Sequence, residues 1–131
     1  MQVLFVEDDA MNRRVVKDML SVVGAQMSEA PDAETGLRMI EEGAFSIVLM
    51  DLRMPGMDGL TALKLLRARE DAKGQLPVIV LTADTALDLR ERCLAEGADD
   101  VISKPVAMGK LLKTMSAMLA KAAGANRVVL S

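Results

Sequence analysis

Residues 47 to 60 read Ile-Val-Leu-Met-Asp-Leu-Arg-Met-Pro-Gly-Met-Asp-Gly-Leu. Four apolar residues stop at a carboxylate, Asp51, and a turn built around Pro55, Gly56 and Gly59 follows. An apolar run of that length, bounded by turn formers, predicts a strand buried on both faces, as in a parallel sheet covered by helices. Asp51 then stands at the strand's C-terminal tip, the edge where open α/β sheets place their chemistry. A carboxylate there is a nucleophile, a metal ligand, a helix cap, or more than one of these.

The rest of the chain repeats the alternation. Val3-Leu4-Phe5-Val6 is a short apolar run ending at Glu7-Asp8-Asp9. A helical period follows over about 10 to 23, with Met11, Val15, Met19 and Val23 as one stripe, widened by Val16 and Leu20, and Gly24 as C-cap. A weak strand lies around Met27. A second helix is predicted over 32 to 42, with Ala33, Leu37 and Ile40 inward. A third covers 59 to 70, with Leu60, Leu63, Leu66 and Ala62 inward and Asp58 as its N-cap. Residues 71 to 77 read as a polar loop. Val78-Ile79-Val80-Leu81 is the next buried strand, ending at Thr82-Ala83-Asp84. A fourth helix is predicted over 86 to 96, a short strand over 101 to 103 ending at Lys104-Pro105, and a last helix over 106 to 121 with Leu111, Leu112, Met115, Met118 and Leu119 as its apolar face.

Five strand–helix units imply an α/β fold: one doubly wound, five-stranded parallel sheet flanked by five helices, flavodoxin-like. The first, third and fourth strands are uninterrupted apolar runs and belong in the centre. The second and fifth are short or mixed and belong at the edges. The order 2-1-3-4-5 satisfies this, and right-handed crossovers then place the first and fifth helices on one face. The crevice opens between strands 1 and 3, where the winding direction reverses. With 131 residues, one domain is expected over 1–122, with 123–131 as a C-terminal tail or the start of a linker.

Composition removes several chemistries. The chain has no histidine, which excludes Ser-His and Cys-His catalysis, His-ligated metals and a phosphohistidine on this chain itself. A single cysteine, Cys93, excludes an internal disulfide and suits a reducing cytoplasm; it is expected to pack on the fourth helix. No apolar run approaches the ~18 residues of a membrane span, and no secretory leader is expected. A net charge of -3 gives no reason to expect direct nucleic-acid binding. The eleven methionines are expected to fill core, except Met11 and Met54, which the sequence places near the site mouth where a partner can touch them.

The polar residues at the strand ends converge on one edge: Glu7 and Asp8 from strand 1, Asp51 from strand 3, Thr82 from strand 4 and Lys104 from strand 5. Clustered carboxylates repel one another, by about 4 kcal/mol per like pair at ~4 Å and an effective dielectric near 20. Such a cluster asks for a hard cation, and an all-oxygen donor set favours magnesium, with manganese acceptable. Asp8 or Asp9 can also serve as the cap of the first helix. Carboxylate nucleophile, divalent metal, hydroxyl and ammonium together describe phosphoryl transfer to an aspartate.

These residues carry a resemblance. Val6-Glu7-Asp8, Met50-Asp51 with Met54-Pro55-Gly56-Met57-Asp58-Gly59, Leu81-Thr82-Ala83 and Ser103-Lys104-Pro105 occur in order on the expected elements. Over residues 2 to 121 the chain resembles a response-regulator receiver domain of two-component phosphorelay signalling. The resemblance implies that Asp51 is the phosphoacceptor and that Glu7 and Asp8 bind magnesium, Asp8 directly and Glu7 through water. It implies that the main-chain carbonyl of Arg53 completes the metal site, that Thr82 and Lys104 hold the phosphoryl oxygens, and that the Lys104–Pro105 bond is cis. It implies a signalling module, with self-catalysed phosphorylation and dephosphorylation only. The donor is a histidine kinase or a histidine phosphotransfer protein landing on the first helix and the loop after Pro105, near Met11, Asn12 and Arg14. Asn12-Arg13 is similar to receivers attached to hybrid kinases. The downstream effector is not named by the sequence.

Two positions depart from the family pattern. Val101 stands where many receivers carry a Tyr or Phe that turns inward, so the switch is expected to rest on residues 83 to 86 and the fourth helix. Arg53 and Asp84 occupy two positions that tune phosphoryl lifetime in the family; they are expected to approach each other, or Arg53 to reach the phosphoryl group, hindering in-line water. Arg90, Glu91, Lys110 and Lys113 are candidates for pairing between copies. The alternative is a magnesium-dependent phosphatase-type hydrolase with an aspartyl nucleophile. Enzymes of the haloacid dehalogenase type place that nucleophile in an Asp-x-Asp motif after strand 1, where this chain has Glu7-Asp8-Asp9. A flavodoxin-like cofactor binder needs a phosphate-cradling loop there, and the acidic cluster repels phosphate.

Overall fold

The computed structural model describes residues 1–84 and 86–130, with side chains through Ala122. Five strands alternate with five helices: β1 Gln2–Val6, α1 Ala10–Ser21, β2 Gln26–Ala30, α2 Ala33–Glu42, β3 Ile47–Asp51, α3 Gly59–Arg67, β4 Val78–Thr82, α4 Leu89–Ala95, β5 Asp100–Ser103 and α5 Met108–Leu130. All strand pairs are parallel, in the order β2-β1-β3-β4-β5 expected from strand composition. Every residue of β3 and β4 is buried, whereas β2 and β5 each keep exposed positions.

Because side chains alternate along a strand, the sheet feeds two cores. Val3, Phe5, Ile47, Leu49, Ile79 and Leu81 point to α1 and α5, meeting Val16, Leu20, Leu111 and Met115. Leu4, Val6, Val48, Met50, Val78 and Val80 point to the other face, meeting Ile40, Leu63, Leu66, Leu89 and Cys93. The first and fifth helices thus share one face, as the crossover rule requires.

Several boundaries differ from the sequence reading. Helix α1 ends at Ser21, and its buried residues are Val16 and Leu20. Val15 and Val23, expected on the apolar stripe, are exposed. Two apolar rows run side by side on this helix, and only contact with the sheet decides which is covered. Helix α3 stops at Arg67, and Ala72–Gln75 in the expected loop forms a 3₁₀ turn. Helix α4 starts at Leu89 rather than 86. The Asp84 carboxylate instead holds the Ala86 N–H at 2.9 Å in a local turn that competes with helix. Helix α5 begins at Met108 and runs to Leu130 in a stretch rich in alanine, a strong helix former. The expected tail 123–131 lies outside the residues with described side chains, and Thr85 of the 83–86 loop lies outside the described residues.

Candidate functional site

The site is built at the C-terminal edge of the sheet. β1 runs into Glu7, whose N–H donates to the Ala30 carbonyl at 3.0 Å, so the ladder with β2 continues to the acidic residues. Asp9 caps α1, its carboxylate accepting from the N–H groups of Met11 at 2.8 Å and Asn12 at 3.2 Å. That leaves the Asp8 carboxylate outside the cap. β3 ends at Asp51, and Asp58 caps α3 by accepting from the Thr61 N–H at 2.8 Å.

The turn between them is tight. The Gly59 N–H donates to the Leu52 carbonyl at 2.9 Å, and a Cβ on Gly59 would lie 2.1 Å from the Asp51 carbonyl oxygen. Only glycine lets α3 start this close to the backbone of Asp51. Gly56, at φ 79°, takes the left-handed conformation that turns the loop back. Met54 folds inward with it and is 9% exposed, packed on the core shared with α3. Met54 keeps its expected place at the site mouth, lining the hollow beside Arg53 and Asp84, with little of its surface exposed, while Met11 is 69% exposed as expected.

The carboxylates of Glu7, Asp8 and Asp51 bring ligand oxygens within 4.8 Å of one another. Lys104, delivered by β5 just before a cis Lys104–Pro105 bond, reaches between them. Its Nζ lies 3.1 Å from Glu7 Oε1 and 3.3 Å from Asp51 Oδ2. Thr82 is buried at the end of β4, paired in register with Ser103, and its Oγ1 accepts from the Asp84 N–H at 3.0 Å.

Glu7 is 1% exposed, yet its Oε2 is a buried oxygen with no hydrogen-bond partner. Burial, first, and then the neighbouring Asp51 carboxylate push the Glu7 carboxyl up to about 7, against the opposing pull of Asn12 and Lys104. An orphaned buried carboxylate oxygen beside two further carboxylates is what a divalent cation satisfies, so the residues present fit a magnesium-type donor set.

Around the mouth, Arg53 Nη2 pairs with Asp84 Oδ2 at 2.9 Å, bridging the loops after β3 and β4. The Ala86 N–H, and then Arg53, hold the Asp84 carboxyl below the usual aspartate range. The pair borders an open hollow of about 620 Å³ lined by Leu52, Met54, Pro55 and Leu60. Val101 is half-buried against the α3/α4 core. Arg90 is committed within the chain, donating to Asp100 Oδ1 at 2.6 Å and to the Val101 carbonyl at 3.2 Å.

Sequence reasoning did not anticipate the grip of α1 on Glu7. Asn12 Nδ2 donates to Glu7 Oε1 at 2.6 Å, and Arg13 Nη1 donates to the Glu7 carbonyl at 2.7 Å. The available signal was position: with Asp9 as N-cap, Asn12 is the third helical residue, from which a side chain reaches back past the cap.

The open parallel sheet with this winding and its acidic, lysine-bridged edge find their counterparts among known proteins. Residues 3–116 match the response regulator receiver domain family, and the chain belongs to it. Receiver domains are the signalling modules of two-component systems. Sensor histidine kinase RcsC of Salmonella typhi is 35% identical over 116 residues, covering 88% of this chain and 12% of that protein. Histidine kinase 5 of Arabidopsis thaliana is 31% identical, covering 90% of this chain and 16% of that protein. The chain thus spans 12% to 16% of the length of these relatives. Among solved structures, the receiver domain of sensor histidine kinase PA1611 from Pseudomonas aeruginosa PAO1 superposes with a TM-score of 0.82 at 31% identity, covering 91% of this chain and 97% of that one. That structure holds a magnesium ion in its active-site cleft. The Francisella response regulator 1452 receiver domain superposes with a TM-score of 0.85 at 26% identity, covering 92% and 98%.

Proposed function

We propose that this receiver domain is a phosphoacceptor switch that takes a phosphoryl group from a phosphohistidine onto Asp51. The donor is a histidine kinase or a histidine phosphotransfer protein, and the setting is the cytoplasm. The observation that carries this reading is the Lys104 ammonium bridging Glu7 and Asp51 beside an unpartnered carboxylate oxygen. A cluster so incompletely neutralised is arranged to receive a cation and an anion together.

In this reading a carboxylate oxygen of Asp51 attacks phosphorus. The phosphorus–nitrogen bond to the donor imidazole breaks, and its electron pair stays on the imidazole. Glu7, Asp8, Asp51 and the main-chain carbonyl of Arg53 are the residues that would hold Mg²⁺ or Mn²⁺. When bound, that ion neutralises charge on the transferring phosphoryl group. Lys104 moves from the carboxylates to a phosphoryl oxygen, and the Thr82 hydroxyl donates to another. The added charge of about -1.5 to -2 is thereby compensated. Displacing Thr82 Oγ1 costs the contact it makes with the Asp84 N–H, so the loop after β4 feels the modification directly. With Val101 in place of a ring, the response is carried by that loop, α4 and the α4/β5/α5 surface offered to an effector. No helix among the described residues is long and apolar enough to cross a membrane, so no insertion is invoked, and no direct nucleic-acid contact is invoked either.

Incubation of the chain with a small phosphodonor and Mg²⁺, read by intact mass, tests this. A single phosphate adduct is expected in the wild type and none in Asp51→Asn. Multiple turnover of unrelated phosphate esters would point to the hydrolase instead. Amide shifts confined to the Asp51 neighbourhood, with α4 unmoved, would overturn the switch.

A further inference from the structure

The two oxygens of the Glu7 carboxylate are treated differently. Oε1 accepts from Asn12 Nδ2 at 2.6 Å and from Lys104 Nζ at 3.1 Å. Oε2 is buried and has no partner. Asn12 is itself fixed, because its N–H is bound by the Asp9 cap. The next residue, Arg13, donates Nη1 to the Glu7 carbonyl at 2.7 Å and Nε to Glu29 Oε1 at 3.1 Å. Two neighbouring side chains in the first turn of α1 therefore hold the same residue, one by its carboxylate and one by its main chain. A carboxylate held only by Lys104 would lose its last donor when the ammonium turned to a phosphoryl oxygen, and a buried acceptor without a donor is costly.

We propose that Asn12 is a positioning residue for the metal site: by holding Glu7 Oε1 it reserves Oε2 for the cation and frees Lys104 to leave. Arg13 supports it by fixing the Glu7 backbone to Glu29 of β2. This rests on the reading of the carboxylate cluster as a magnesium site. Partners of this kind, one step removed from the ion, orient ligands and are worth about 10- to 100-fold in metal affinity.

The test titrates Mg²⁺ calorimetrically into the wild-type chain, Asn12→Ala, Asn12→Ser, Glu7→Gln and the double variant Glu7→Gln/Asn12→Ala. Urea unfolding in EDTA is followed in parallel. The expected result is an affinity loss of about tenfold in Asn12→Ala. Asn12→Ser, too short to reach Glu7, behaves alike, while the double variant binds within twofold of Glu7→Gln, because the two residues act through one contact. A merely structural role would lower stability in EDTA and leave Mg²⁺ affinity as in the wild type, which overturns the proposal. An Asn12→Ala effect of equal size in the Glu7→Gln background overturns it as well. A wild-type chain with no saturable Mg²⁺ binding sinks the metal reading and this inference together, whereas wild-type binding with unchanged affinity in both Asn12 variants sinks this inference alone.

Discussion

At the N-terminal edge of β4 the chain half-buries a charge and gives four of its five N–H donors a partner. Arg67, at the end of α3, donates to the carbonyls of Gly97 at 2.9 Å, Gly74 at 2.8 Å and Leu76 at 2.7 Å, and to Asp99 Oδ2 at 3.1 Å. The same Asp99 oxygen accepts from the Val78 N–H at 2.8 Å. At the opposite edge, Glu7 and Asp51 are buried with one lysine between them, and one oxygen has no donor at all. Both regions are polar networks in the same sheet. The first is closed and ties together the segments around β4 and β5. The second is left open, with one buried oxygen unpartnered.

Removing the closed network should produce the largest loss of stability. Arg67→Ala takes a donor from three carbonyls and leaves Asp99 only the Val78 N–H, and urea unfolding should show a loss of about 3 kcal/mol. Mg²⁺ affinity should stay at the wild-type value; a variant as stable as the wild type would erase the contrast between the two edges.

The open network should behave in the reverse sense, gaining stability when its charge is removed. The folded chain holds a proton on Glu7 up to about pH 7, whereas an ordinary glutamate releases it near 4.5. Between those values the folded state binds more protons than the unfolded one, so stability falls as pH rises through this window. In EDTA the drop should reach at most about 3 kcal/mol. Glu7→Gln should flatten it and be more stable at neutral pH, and saturating Mg²⁺ should remove it in the wild type. The carboxyls of Asp32, Asp58 and Asp84 are shifted downward and titrate below this window. Unfolding curves with EDTA at about pH 5 and pH 7.5 measure the effect, and stability that rose with pH would contradict the assignment.

A smaller effect is expected where backbone meets backbone. Gly59→Ala forces a methyl group against the Asp51 carbonyl oxygen and should cost about 2 kcal/mol. It should also slow phosphoryl uptake, since α3 can relieve the clash only by shifting Asp51. Unfolding and intact mass on the same variant separate the two consequences. The smallest effect belongs to the exposed Arg53–Asp84 pair, an ion pair at the mouth of the open network. Arg53→Asn and Asp84→Ala should each speed loss of phosphate from Asp51 by a few-fold, on the order of what one polar contact contributes, followed by mass against time. Equal or slower hydrolysis in both would remove the pair from the account of phosphoryl lifetime.

Much of the architecture was legible because burial writes itself into strand composition. Ile47 to Met50 and Val78 to Leu81 are apolar throughout, which places β3 and β4 at the centre. The polar residues that end those runs mark the sheet edge where the cluster forms. Helix α1 was harder, since Val15 and Val16 lie on adjacent rows and either could face the sheet. The start of α4 was misread because Ala86 and Leu87 look helical, while Asp84 uses its carboxylate to hold the Ala86 N–H in a turn. The low exposure of Met54 depended on how the Gly56 turn folds back, which no periodicity reports. The contact between Asn12 and Glu7 crosses from a helix to a strand end, and local patterning carries no distances between elements.

The ammonium that bridges Glu7 and Asp51 comes from a residue 97 positions after Glu7. On a ribosome, the first four strands are made before Lys104 exists, and the acidic residues gathered by then lack the ammonium that lies between Glu7 and Asp51. The cluster is therefore incomplete until the final strand has emerged and paired. β5 is also a four-residue edge strand with only Ile102 fully buried, so it is a strand open to release by local opening. Each such release withdraws the lysine, so the completeness of the acidic cluster is tied to whether the last strand is docked.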